Sequence, residues 1–314
     1  KASGLVRELT VQDVIIWGVA APAASGINYY SVRMSYSYPG ASPVLSFALS
    51  ALILLPLAIA LAMMSSAMPR AGGMYVMVSR IINPTIGYYC VWVMVIGWGI
   101  AIGLLGYLVT GLFGGALVMV GLGGGGAGLI DAGKALGTTT WSAVGGILFT
   151  LFFWALNLYS MGAVKWVTRI ITYLPMIATV LAVVYFISVG PAGAPSAFNN
   201  IWGSGTYEKI LEAAAANGFT EKPFSWDATI SSLIIPLWAW TAFEASTFVS
   251  GEVKSPRKSM LYGFIGGFGL CAIFYIVVSW AVYYPYGKFV GAYTFLANAH
   301  PDVLAKIMPV IRPG

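Results

Sequence analysis

The stretch LIIPLWAWTAFEASTFVSGEVKSP, Leu233 to Pro256, is apolar and aromatic over most of its length, yet it contains the carboxylate of Glu244. No basic residue lies within nine positions of Glu244 along the sequence. Pro236 comes early in the stretch, and a proline inside a helix removes a backbone hydrogen bond and displaces the preceding turn. Ionisable residues in membrane segments are costly and usually functional. We therefore expect an interrupted membrane helix in which Glu244 faces the protein interior.

The composition of the 314-residue chain excludes an ordinary water-soluble domain. Hydrophobic residues make up 59% and charged residues 8%, and the mean hydropathy is +0.84, whereas about 25% of the residues in soluble domains are charged. Seven stretches are long enough to cross about 30 Å of hydrocarbon, and none alternates as a barrel strand does. The sequence predicts an all-α integral membrane protein with about seven transmembrane helices, at residues 11–36, 42–66, 85–119, 140–160, 166–189, 228–251 and 260–285.

The distribution of charge predicts a multi-pass protein of the cell (cytoplasmic) membrane with its N-terminus in the cytoplasm. In that orientation nine basic and three acidic residues lie on the cytoplasmic face, and seven basic and six acidic residues lie on the other face. Lys and Arg accumulate in cytoplasmic loops. The net charge of +6 therefore follows from topology, and we expect no nucleic-acid partner. Residues 286–314 predict an extracellular segment of two short helices with a bend at His300-Pro301.

The residues needed for a metal site or an enzyme are scarce. Cys90 and Cys271 both fall within predicted spans, and His300 is the single histidine of the sequence. We expect no metal and no cofactor. A membrane-embedded enzyme would need a convergent nucleophile and base, and a channel would need a polar ring along a pore. Both alternatives are less consistent with this sequence than a transporter.

The first predicted span also contains helix-breaking residues. It reads VQDVIIWGVAAPAASGINYYSVRMSYSYPG, Val11 to Gly40, and places Pro22 just before Ser25-Gly26. A proline beside a Ser-Gly pair favours a break, which we expect at residues 21–26. Two interrupted helices in corresponding positions of two halves are typical of secondary transporters built from inverted repeats. The first and sixth spans are the predicted pair.

Three motifs then resemble one family. They are the opening LVRELTVQDVIIWGV with SGI at 25–27, the segment MPRAGGMYVMVSRIINPTIGYYCVWVMVIGW at Met68 to Trp98, and the sixth-span pattern from Trp238 to Glu244 followed by EVKSP. Their order and spacing are similar to those of the amino acid-polyamine-organocation (APC) family. The resemblance implies a LeuT-like inverted-repeat helix bundle of five plus five spans.

The same resemblance implies how the chain is organised. It would form a single transmembrane transporter domain over residues 1–314, with the first repeat at about 11–189 and the start of the second at about 228–285. Family members commonly have about twelve spans, so later spans are missing. We expect a truncated chain, with a missing C-terminal half or a second chain supplying span eight onward.

The family's binding residues, carried to matching positions, define a candidate site. Exposed amides in the first span would bind a substrate carboxylate, and freed carbonyls in both spans would accept from its ammonium group. The predicted substrate-binding residues are Ala21, Pro22, Ala23, Ser25, Gly26, Ile27, Trp238, Thr241 and Ala242. Trp238 and Glu244 are predicted to act in gating or coupling, and Asn28, Met94 and Ile102 to line a side-chain pocket. Alternatively, Pro22 only kinks a packed helix and Trp238 is a packing residue.

The implied function is secondary active transport of amino acids by alternating access. No second intramembrane carboxylate offers to bind a cationic side chain, so we predict neutral or apolar amino acids. An amine, polyamine or cationic amino acid exchanger of the same fold is the alternative. Ala24, Asn28 and Ala242 depart from the family pattern, which affects substrate identity more than fold. Coupling to H+ or Na+, or uncoupled exchange, stays open, as does the oligomeric state. Lys165 and Arg169 are expected to anchor span five at the membrane surface.

Overall fold

The computed structural model describes residues 7–20, 22 and 27–308, without the side chains of residues 27–30 and 161. Regular structure within this part of the chain is helical, apart from one isolated bridge between Leu9 and Val253. The α-helices are α1 (Val11–Ala20), α2 (Ile27–Ser37), α3 (Pro43–Ala67), α4 (Gly73–Ile81), α5 (Pro84–Val120), α6 (Ala127–Leu136), α7 (Thr139–Tyr159), α8 (Met161–Trp202), α9 (Thr206–Ala216), α10 (Trp226–Ser231), α11 (Ile234–Ala239), α12 (Pro256–Ala299) and α13 (Pro301–Ile307). A π-helical turn covers Gly121–Gly125, and 3-10 helices cover Phe243–Thr247 and Ser250–Glu252.

Five of these helices, α3, α5, α7, α8 and α12, are long and apolar enough to cross a membrane. The two remaining predicted spans each contain a pair of shorter helices. Residues 11–36 form α1 and α2, and residues 228–251 contain α11, most of α10 and the first 3-10 helix. The protein is thus an all-helical, multi-pass membrane protein. Its division into two inverted repeats stays a prediction.

The Asn-Pro and Ser-Pro turns seen in the sequence start two of the long helices. Before α5, the Asn83 side chain accepts a hydrogen bond from the backbone N–H of Thr85 at 2.7 Å. Pro84 occupies the first helical position, where its missing N–H has no helical partner to lose. At the start of α3 the Ser42 side chain likewise accepts a backbone hydrogen bond, from Leu45, and Pro43 occupies the first helical position. Local sequence therefore sets where these spans begin.

Helix α12 is the centre of the packed core. It lies against α1, α2, α3, α8 and α9. The buried cluster around it includes Met34 of α2, Phe47 of α3, and Phe268 and Tyr275 of α12 itself. Trp240, which follows α11, is 1% exposed and completes the cluster. The segment that contains the second interruption is therefore built into the core of the bundle.

The last part of α12 differs from the prediction. Residues 286–299 continue α12 without a break, although a separate short helix was predicted there. The bend itself lies where we predicted it, because α12 ends at Ala299 and α13 begins at Pro301. The continuation is stabilised by α9, whose Ile210 packs with Phe289, Leu296 and Leu304. An apolar face supplied by α9 keeps these more polar turns helical.

Helices α5, α6 and α7 approach one another through glycines. A Cβ atom on Gly146 of α7 would lie 2.8 Å from the backbone carbon of Gly106 in α5. A Cβ atom on Gly133 of α6 would lie 2.4 Å from the carbonyl oxygen of Gly114 in α5. Between the predicted spans 85–119 and 140–160 the chain turns at Gly124 and Gly126, both of positive φ, and then forms α6. Small residues let membrane helices come this close.

We predict that Gly146→Ala lowers stability while Gly99→Ala does not. The new methyl group at residue 146 must push α5 and α7 apart, at a cost of about 1–3 kcal/mol. Gly99 in α5 has no atom within 4 Å of an added Cβ, so alanine there gains helix propensity only. The thermal unfolding midpoints of the two variants in detergent measure this difference. Equal midpoints would show that the close contact between α5 and α7 is not needed.

Candidate functional site

The predicted interruption in residues 228–251 is present. Helix α11 ends at Ala239, and the chain turns at Ala242, whose φ of 72° lies in the left-handed region. A 3-10 helix then carries Phe243 to Thr247. Left-handed backbone is costly for a residue with a Cβ atom. Ala242 therefore holds a strained turn that glycine would adopt freely.

The first interruption lies between α1 and α2. Helix α1 ends at Ala20 and α2 begins at Ile27, and Pro22 is the described residue between them. The predicted binding residues Ala21, Ala23, Ser25 and Gly26 lie outside the described residues. Ile27 and Asn28 lie in the first turn of α2, and their side chains are likewise outside the description. Their roles stay predictions.

A tyrosine of α12 connects the two interruptions. The hydroxyl of Tyr275 lies 2.8 Å from the carbonyl oxygen of Ala239 and 3.3 Å from that of Pro22. Its side chain is fully buried. One hydroxyl has one proton to donate, so the shorter contact, to Ala239, is the stronger hydrogen bond. Carbonyls from both interrupted segments thus converge on a single hydroxyl.

The two tryptophans of the sixth predicted span have different environments. Trp240 stacks on Phe268 with ring centroids 4.4 Å apart, and its Nε1–H donates to Ser50 Oγ at 3.1 Å. Trp238 is 43% exposed. Trp240 is 1% exposed and therefore packs in the interior of the bundle. The gating role of Trp238 stays a prediction.

The backbone after α11 forms hydrogen bonds of its own. Thr241 N–H donates to the carbonyl of Trp238, and Ala245 N–H donates to that of Ala242, both at 2.9 Å. Thr241 is exposed. The freed carbonyl that the structure identifies most directly is that of Ala239, which was not predicted.

Glu244 lies in the 3-10 helix and is half-buried. Within the described residues both ion pairs involve Asp13, so Glu244 has no cation at salt-bridge distance there. Two fully buried hydroxyls follow it, those of Ser246 and Thr247, and neither has a hydrogen-bond partner in this part of the chain. Unsatisfied buried hydroxyls cost about 1–3 kcal/mol each. Polar groups are thus concentrated just after the strained turn.

The predicted side-chain pocket draws on α5. Met94 and Ile102 are four residues before and after Trp98, so all three lie on one face of the helix. The ring of Trp98 lies 5.4 Å from that of Phe248, just beyond the 3-10 helix. Met94 is half-buried and Ile102 exposed. Trp98 thus brings this face of α5 into contact with Phe248, and the pocket at Met94 and Ile102 stays a prediction.

Sequence comparison identifies the family. A profile of the amino acid permease family matches residues 9–289, which is most of the chain.

The chain belongs to the amino acid permease family.

This membership confirms the predicted APC relationship and sets the protein among transporters rather than enzymes. The chain is also similar to the methylthioribose transporter of Bacillus subtilis (strain 168), with 23% identity over 287 residues. The match covers 89% of this chain and 55% of that protein. The chain therefore spans about half the length of this permease relative.

A buried ion pair was missed in the sequence of this permease. Asp13 of α1 is 1% exposed, and Arg169 of α8 donates to its Oδ1 from Nε at 2.8 Å and from a terminal nitrogen at 2.6 Å. Lys165 lies 3.8 Å from Oδ2, which also accepts from the backbone and hydroxyl of Thr10. The two cations predicted to anchor span five thus fix α1 to α8. The sequence signal that could have indicated this pair is that residues of opposite charge were predicted at the same membrane face.

The start of α1 is also tied to the end of the interrupted segment. Leu9 N–H donates to the carbonyl of Glu252 at 3.0 Å, and Lys254 N–H donates to that of Leu9 at 2.7 Å. Leu9 and Val253 are both buried. Burial, and to a lesser degree the nearby Glu8, raise the pKa of Glu252. In this permease the two interrupted segments are therefore joined by backbone hydrogen bonds as well as through Tyr275.

We predict that Ala242→Gly stabilises the protein by about 1 kcal/mol. Glycine removes the strain of the left-handed backbone, and this gain is larger than the entropy cost of having the more flexible glycine in the unfolded chain. Ala245→Gly, three residues on in ordinary helical backbone, is the matched control and should destabilise. Thermal unfolding midpoints in detergent provide the measurement. A lower midpoint for Ala242→Gly would show that the turn at Ala242 is not strained.

We predict that Tyr275→Phe loosens the second interruption. The ring keeps its place beside Trp240, 4.8 Å away, but the carbonyl of Ala239 loses its hydrogen-bond donor, at a cost of about 1–3 kcal/mol. Hydrogen exchange over residues 239–247 should accelerate. Tyr284→Phe, an exposed residue of the same helix, is the control. Unchanged exchange in Tyr275→Phe would exclude the bridging role.

Proposed function

We propose that the protein is a secondary transporter that carries a small neutral solute across the membrane by alternating access. The observation that carries the proposal is the convergence of Pro22 and Ala239 carbonyls on Tyr275. Interrupted helices that meet inside a bundle expose backbone groups to a solute without a charged side chain. The proposed binding residues are those predicted from the sequence, from Ala21 to Ile27 and from Trp238 to Ala242.

The family supports an amino acid as the substrate, and the lack of Asp, Glu, Lys and Arg at residues 20–30 and 233–243 supports a neutral one. Backbone amides of Ser25 and Gly26 are proposed to bind the carboxylate, and backbone carbonyls are proposed to bind the ammonium group. The methylthioribose transporter supports a second candidate, an uncharged solute of similar size that binds through hydroxyl groups. In either case Asn28, Met94 and Ile102 are proposed to contact the variable part of the substrate.

Coupling of transport to H+ or to Na+ is proposed to involve the region around Glu244. The carboxyl group lies one residue from the strained turn and lacks a cationic partner within the described part of the chain. A proton bound there would remove a charge from an apolar segment. The alternative of exchange without a coupling ion rests on the same site. The LeuT-like five-plus-five arrangement is proposed on the family relationship.

Counterflow into proteoliposomes tests the proposed function. The full-length protein is reconstituted with a panel of labelled neutral, cationic and acidic amino acids and with methylthioribose. We expect neutral solutes to accumulate by counterflow when the same solute is loaded inside. Uptake of cationic amino acids or amines alone would favour the exchanger alternative. No counterflow of any solute would overturn the transport proposal.

We predict that Glu244→Gln flattens the pH dependence of uptake between pH 5 and pH 8, because glutamine keeps the shape of the side chain but cannot bind or release a proton. Glu212→Gln, an exposed residue of α9, should leave the profile unchanged. Initial rates at a saturating solute concentration are the measurement. A profile identical to wild type would limit Glu244 to a structural role.

A further inference from the structure

A cavity of about 680 Å³ opens between the end of α2, the connector from α9 to α10 and the last turns of α12. None of the predicted substrate-binding residues lines it. Its volume falls within the range of about 300–1,000 Å³ that is typical of sites for drug-sized ligands. The cavity is therefore separate from the two interruptions and larger than a free amino acid requires.

We call this space the outer cavity. Hydrogen bonds and close packing hold its walls in place. Ser225 N–H donates to the carbonyl of Gly40 at 2.9 Å, and Ser42 N–H donates to Thr229 Oγ1 at 3.1 Å. Gly40 has φ +89°, and a Cβ atom there would lie 2.6 Å from the carbonyl oxygen of Pro223. These contacts fix the connector against the loop between α2 and α3. The cavity is thus a formed feature of the fold.

Aromatic rings line the cavity and are partly uncovered. Phe224 is 53% exposed and Tyr36 is 38% exposed. Phe219 and Phe295 form a second aromatic wall, with ring centroids 5.6 Å apart. Exposed aromatic surface in a concave site gains stability when an apolar body covers it. The lining therefore suits a ligand with an aromatic ring.

The charges of the cavity favour an anion. Lys222 of the connector and Lys288 of α12 both line it, and the acidic lining residue is Glu221. Neither lysine forms an ion pair with another described residue, since both recorded pairs involve Asp13. The positive excess comes from two separate elements that face one space. A carboxylate is the complementary group for two ammonium groups placed in this way.

We infer that the outer cavity binds an organic carboxylate with an aromatic body. The ring would lie against the Phe219 and Phe224 walls, and the carboxylate would lie between Lys222 and Lys288. This site is independent of the proposed transport site, so its occupancy can be measured without transport. A ligand there would contact α2 and α12, which both belong to the core that holds the interruptions.

Calorimetric titration of the full-length protein in phosphatidylcholine nanodiscs tests the inference. The probe is indole-3-propionate, and its amide, indole-3-propionamide, is the same body without the charge. We expect saturable binding of the acid and a loss of about fivefold in affinity for the amide. Equal affinity for the two compounds would overturn the charge complementarity.

Two pairs of variants locate the binding. Gly287 lines the cavity, and an added Cβ there meets no atom closer than 3.9 Å, so Gly287→Trp fills the cavity from an ordinary helical position. Gly269→Trp, on the same helix with open space around it, is the control. We expect Gly287→Trp to abolish probe binding and Gly269→Trp to preserve it. Unchanged binding in Gly287→Trp would exclude this cavity.

The second pair changes charge without changing volume. The double variant Lys222→Gln with Lys288→Gln should weaken the acid about fivefold and leave the amide unaffected. Lys209→Gln on the exposed face of α9 should change neither. If Gly287→Trp does not fold, this charge pair tests the inference by itself. An equal loss of affinity for the acid and for the amide in the double variant would overturn the inference.

Discussion

A backbone carbonyl that loses its helical partner in an apolar environment needs another donor, and two interrupted segments of this chain each place a carbonyl in the core. The hydroxyl of Tyr275 lies within reach of both, at Ala239 and at Pro22. An uncompensated carbonyl would cost about 1–3 kcal/mol. Tyr275 therefore has to be buried at one place in the bundle. Trp240, Phe268 and Phe47 pack around its ring, so the position of α12 follows from the same requirement.

Helix α1 is held at several points by different kinds of interaction. The carboxylate of Asp13, in its first turn, binds Arg169 of α8. Just before the helix, Leu9 pairs with Val253, which follows the second interruption. Beyond its C-terminal end, Pro22 reaches Tyr275. A buried carboxylate that loses its cation is strongly destabilising. Any movement of α1 against α8 must therefore separate or carry along this pair, while α1 and the interrupted segment stay linked by backbone hydrogen bonds.

Local features of the fold were predictable from the sequence, and long-range pairings were not. Pro22, Pro236 and the Asn83-Pro84 turn mark interruptions and helix starts through backbone chemistry that acts within a few residues. Tyr275 and Pro22 are 253 residues apart, and Asp13 and Arg169 are 156 apart. Contacts between residues so far apart leave no periodic pattern in the sequence from which they could be predicted. The continuation of α12 through residues 286–299 depends on the apolar face of α9, which is also a tertiary effect.

The bridge between Leu9 and Val253 has a consequence for how the family can diverge. Every residue except proline carries the N–H and C=O groups that form such a bridge, so substitutions at these positions leave its hydrogen bonds available. A change in the number of residues is different, because one residue gained or lost between Leu9 and α1 would shift the register by about 3.3 Å. Relatives that keep the bridge are therefore expected to conserve the length of this segment more strictly than its composition.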